Sequence, residues 1–101
     1  MRRPFPFCFE GPDELLNRTE YTQPALLAAS IATLRVLFEK TSFRPSFYAG
    51  HSHGEYTALV CSGAIDFAAA IDLVRFRGQV MQQAVPLGQG AMAAILGLED
   101  D

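Results

Sequence analysis

The five residues Gly50-His51-Ser52-His53-Gly54 constrain this chain more than any other stretch. They match G-x-S-x-G, in which the serine occupies a sharp turn between a strand and a helix. Residues two before and two after that serine crowd each other, so glycine is expected at both places. The turn lifts the serine Oγ above the strand end. There the free N–H groups and the dipole of the following helix favour an oxyanion. The flanks agree with this reading. Ser46 to Ala49 is short and apolar-aromatic after Pro45, as a buried strand is. Glu55 to Cys61 has helical character and is closed by Ser62-Gly63. Ser52 is therefore the candidate nucleophile, and the backbone N–H of His53 the expected oxyanion donor. The plainer alternative is a glycine-rich turn with a serine helix cap.

The only two histidines are His51 and His53. Neighbours in an extended segment point to opposite faces, so His51 should aim away from Ser52 and pack or hydrogen-bond beneath the turn. His53 opens the helix and diverges, which puts it at the pocket rim. A serine base normally comes from a distant part of a chain, so this sequence holds no complete Ser–His pair. Glu55 complements the helix dipole. Arg75 and Arg77 lie two apart on one helix and point in different directions. By pattern alone, each reads as solvated.

Elsewhere the sequence alternates helix signals with short apolar runs. Gly11-Pro12 reads as a turn, and Asp13 to Asn17 as one helical turn. Pro24 suits the first position of a helix capped by Thr22 or Gln23. Ala25 to Phe38 is apolar on nearly every face, which predicts burial on several sides. Asp66 is a good N-cap for a helix over Phe67 to Ala84, with Ile71, Val74, Val80 and Met81 on its apolar face. Gly78 costs that helix about 1 kcal/mol against alanine, so a close approach is expected there. Pro86 stops the helix, and Ala91 to Leu96 reads as a second short strand or the start of another element. The order is α/β in pattern. One or two strands cannot cover so much apolar helix surface, so the chain reads as part of a larger domain.

Composition narrows the partners. Half of the 101 residues are apolar and 19% are charged, which excludes a disordered chain. The net charge is −3 with scattered Lys and Arg, so no nucleic-acid partner is expected. No membrane association is expected either, since the longest apolar run, Ala91 to Leu96, falls far below the roughly 18 residues of a membrane span. Pro4 and Pro6 break the stretch after Met1-Arg2-Arg3, leaving no secretory apolar region. Cys8 and Cys61 make neither a disulfide scaffold nor a metal site, and read as reduced thiols of a cytoplasmic protein.

Four ordered blocks carry a family resemblance. They are Glu10-Gly11-Pro12 with Leu16-Asn17-Arg18-Thr19, then Thr22-Gln23-Pro24-Ala25-Leu26-Leu27-Ala28-Ala29-Ser30, then Ala49 to Tyr56 around Ser52. The last runs from Arg77-Gly78-Gln79-Val80-Met81 to Gly90-Ala91-Met92 and on to Leu98. Together they resemble the malonyl-CoA:acyl-carrier-protein transacylases. The resemblance implies an α/β-hydrolase-like acyltransferase core over residues 10–88 and the start of a truncated ferredoxin-like subdomain over 89–101. Residues 1–9 are an unmatched irregular leader. It implies Ser52 as nucleophile, the His53 N–H as oxyanion donor and Arg77 as the grip on the free carboxylate of the malonyl group. The implied reaction transfers malonyl from malonyl-CoA to the pantetheine thiol of acyl carrier protein through a malonyl-serine, in fatty-acid biosynthesis in the cytoplasm, with no metal and no cofactor. Where His53 stands, the family usually has an aliphatic residue, which bears on acyl preference. The family's Gly-Gln-Gly segment and its catalytic histidine have no counterpart here, so these 101 residues alone are expected to be inactive. The alternatives are a serine esterase or thioesterase of related fold, and an inactive truncated fragment. The R-G-x-x-M block at Arg77 argues for the transferase.

Overall fold

The computed structural model describes residues 7–97, and these form five helices. They are α1 (Phe7–Glu10), α2 (Asp13–Leu16), α3 (Thr19–Lys40), α4 (His53–Cys61) and α5 (Phe67–Ala84). Helix α5 matches the sequence expectation at both ends. The Asp66 side chain accepts a hydrogen bond from the Ala68 N–H at 3.1 Å, satisfying one of the free donors of the first turn. Helix α4 ends where expected, with Gly63 in the left-handed region at φ 79°.

Three expectations are corrected. Helix α3 begins at Thr19, and Pro24 lies inside it. The Arg18 carbonyl already accepts from the Tyr21 and Thr22 N–H groups, and the Thr22 hydroxyl donates to the Arg18 and Leu16 carbonyls. These bonds close a helical turn ahead of the proline, so the helix starts before it. Residues 46–49 and 91–96 form no strand, and the described residues are helical throughout their regular structure. A strand exists through a ladder of hydrogen bonds to a neighbour, and no described segment supplies one. Within the expected irregular leader, Phe7 to Phe9 belong to α1. The rest of that leader, and the last residues of the expected subdomain, lie outside the described residues.

The core sits between α3 and α5. Leu27 and Ile31 from α3 meet Ala70 and Val74 from α5, and Tyr56, Val60 and Cys61 of α4 pack at its margin. Buried residues recur every four positions on both helices, at 23, 27 and 31, with Pro24 beside the first, and at 70, 74 and 78. Residues four apart share one helix face. Gly78 sits where the two backbones touch. A Cβ there would lie 2.8 Å from both Glu20 Cα and the Thr19 oxygen, the close approach the sequence suggested. Burial elsewhere is thinner than the apolar pattern implied. Leu26, Val36 and Leu37 of α3 and Val80 and Met81 of α5 are exposed. Burial pushes the Cys61 thiol up from its ordinary value, against a smaller opposing effect of a backbone hydrogen bond. A thiol held protonated is a poor nucleophile, which fits a packing role.

Candidate active site

The turn at Ser52 has the geometry its motif demands. Ser52 is the one non-glycine described residue with positive φ, at φ 54° and ψ −116°. Such a conformation is costly for a side chain and survives only where neighbours impose it. Gly50 is one of those neighbours. A Cβ on it would collide with the Gly54 carbonyl group and lie 2.6 Å from the Glu55 nitrogen. Gly54 differs from expectation, since a Cβ there would meet nothing within 4 Å. Steric crowding requires only the first glycine, because the second points its missing Cβ into open space.

Ser52 precedes α4 but makes no side-chain cap bond to it, so the plain cap reading fails. The Gly54 and Glu55 N–H groups bond back to the His51 and Ser52 carbonyls. The His53 N–H has no such partner among the described residues, which leaves it available beside the exposed Ser52 hydroxyl.

Arg77 arrives from α5. One terminal nitrogen donates to Ser52 Oγ at 3.0 Å and the other to Gln23 Oε1 at 2.6 Å. Its guanidinium carbon lies 5.5 Å from the centre of the Tyr56 ring. Among the described residues it pairs with no carboxylate, so its charge is uncompensated beside the serine. Arg75 is exposed and takes no part. The fold thus separates the two arginines that the sequence pattern treats alike. Gln23 and Tyr56 were not singled out as site residues by sequence reasoning. The signal for Gln23 was a polar residue in register with the buried positions 27 and 31.

The histidines divide. His51 is exposed rather than packed beneath the turn. His53 is half-buried, with Nε2 2.7 Å from the Gln23 carbonyl oxygen. A carbonyl can only accept, so Nε2 donates. This is a tie between α4 and α3 rather than a place on the rim. Neither imidazole bonds Ser52. No group of three or more metal-ligating side chains occurs among the described residues.

A family model described as the acyl transferase domain matches residues 8–100. The malonyl CoA-acyl carrier protein transacylase of Escherichia coli K12 is 59% identical over 91 residues, covering 90% of this chain and 29% of that protein. That of Bacillus subtilis strain 168 is 54% identical over 91 residues, covering 90% and 28%. Among solved structures, an acyl carrier protein S-malonyltransferase from Vibrio cholerae superposes with a TM-score of 0.80 at 63% identity, covering 90% of this chain and 30% of that one. A malonyl-transacylase in complex with a type II polyketide acyl-carrier protein gives 0.71 at 62% identity, covering 76% and 25%. The chain spans about three-tenths of the length of the curated relatives it matches.

Proposed function

We propose, from the premise that this chain belongs to the acyl transferase domain family, that it carries the nucleophile and the acid-recognising arginine of a malonyl-CoA:acyl-carrier-protein transacylase. The observation that carries the reading is Arg77, whose unpaired guanidinium lies on Ser52 Oγ and is anchored by Gln23. A guanidinium held that way can take a carboxylate with two parallel hydrogen bonds and fix the far end of a malonyl group.

In this reading Ser52 Oγ attacks the thioester carbonyl of malonyl-CoA. The C–S bond breaks, CoA leaves with the proton from the serine hydroxyl, and a malonyl-serine ester remains. The oxyanion formed on the way takes the free His53 N–H at the head of α4. The pantetheine thiol of acyl carrier protein then attacks the ester, and Oγ regains a proton. These steps balance without a metal or a redox cofactor. The base is neither His51 nor His53, since neither imidazole bonds Ser52 and His53 is committed to Gln23. Residues 10–88 would form part of an α/β-hydrolase-like core, with 89–101 opening a ferredoxin-like subdomain. Two free cysteines fit a cytoplasmic setting.

The test places this chain's segment in the matching 91 residues of the Escherichia coli relative. Incubation with labelled malonyl-CoA should add one acyl group, read by intact mass, and Ser52→Ala should abolish it. Label persisting in that variant overturns the assignment. Loss of CoA without transfer to acyl carrier protein would favour the hydrolase alternative.

A further inference from the structure

The His53 side chain has no role in the transfer as written, yet it is half-buried and bonded across two elements. We infer that His53 is a positioning residue, whose imidazole pins the Gln23 carbonyl so that the Gln23 side chain holds Arg77 in place for an acid-tailed acyl group. This rests on the malonyl-transfer reading above and deepens it.

The chain of contacts is short and continuous. His53 Nε2 donates to the Gln23 carbonyl at 2.7 Å, and Gln23 Oε1 accepts from Arg77 at 2.6 Å. The pinned point is a weak one in α3. Pro24 has no N–H, so this part of the helix lacks one backbone hydrogen bond, the one to the Glu20 carbonyl. Gly78, next to Arg77, rests on Thr19 and Glu20 one turn earlier. The first two turns of α3 are therefore the surface against which Arg77 is set, and His53 is the side chain of α4 bonded to them. Gln23 itself is only 8% exposed, which leaves its amide little freedom to find another partner. An aliphatic residue at 53 fills space but donates nothing. Glutamine carries an N–H donor at a reach close to that of imidazole Nε2.

The test uses the same graft, with kcat and KM measured for malonyl-CoA and for acetyl-CoA, which lacks the carboxylate. His53→Leu should raise KM for malonyl-CoA and lower the malonyl-over-acetyl preference about fivefold, the scale of one hydrogen bond. His53→Gln should restore the preference to within about twofold, since it keeps the donor. An unchanged preference in His53→Leu, or a His53→Gln that behaves like it, overturns the inference. Should His53→Leu not fold, imidazole 15N shifts of the unsubstituted graft decide. Nε2–H at His53 supports the tie, and an Nδ1–H tautomer overturns it. Arg77→Ala separates the two levels. If it abolishes the preference while His53→Leu does not, only the positioning role fails. If it too leaves the preference intact, the malonyl reading falls.

Discussion

Arg75 and Arg77 show how much depends on one residue's surroundings. Both lie on α5, but only Arg77 turns toward α3 and α4, where Gln23 and Ser52 receive it. In the graft, Arg77→Ala should lower kcat/KM for malonyl-CoA by about 10²-fold, the loss of a charge-assisted pair that leaves a carboxylate unmatched. Acetyl-CoA should lose less, or gain. Arg75→Ala should change neither. Steady-state kinetics on both substrates checks this, and equal losses for the two substrates would count against the assignment. The Arg77 role could not be read from spacing, because two arginines two apart are equivalent until a partner helix chooses one.

At the scale of elements, the α3–α5 pair is set by Gly78. Replacing it with alanine brings two opposed effects. Helix propensity improves by about 1 kcal/mol. Against that, the new Cβ would lie 2.8 Å from backbone atoms of Thr19 and Glu20, which cannot rotate away. Overpacking against backbone costs about 1–3 kcal/mol, so the net change should be destabilising. The helices would also part beside Arg77. Denaturant unfolding of the graft should show a lowered midpoint for Gly78→Ala, and a raised midpoint would refute the packing account. The close approach was legible in the sequence because glycine in a long helix needs a reason. The early start of α3 was not, since proline normally marks a first turn and here sits further in.

At the scale of the whole molecule, the buried core is small. The Cα radius of gyration is 15.8 Å, against about 13 Å for a compact domain of this length. Leu26 and Val36 on α3 and Phe76 and Val80 on α5 are each 45–62% exposed. Exposed apolar area on this scale is covered by association when nothing else covers it. The 101-residue chain purified as given should therefore elute larger than a monomer on gel filtration. It should also fail to transfer malonyl to acyl carrier protein above its Ser52→Ala background, because neither histidine reaches Ser52 to act as base. Transfer clearly above that background would show that a base is present after all.

The sequence alone determined what depends on neighbours along the chain. A glycine two residues before Ser52, an aspartate before α5 and a glycine after α4 each act through local backbone geometry, so the turn, the cap and the helix end were all legible. Three outcomes waited for the tertiary structure: that Arg77 bonds the serine, that Gln23 joins them, and that His53 ties α4 to α3. Those contacts link residues 25, 54 and 30 positions apart. Whether such residues meet depends on which faces of α3, α4 and α5 pack together, and on α3 apolar residues on nearly every face left that choice open.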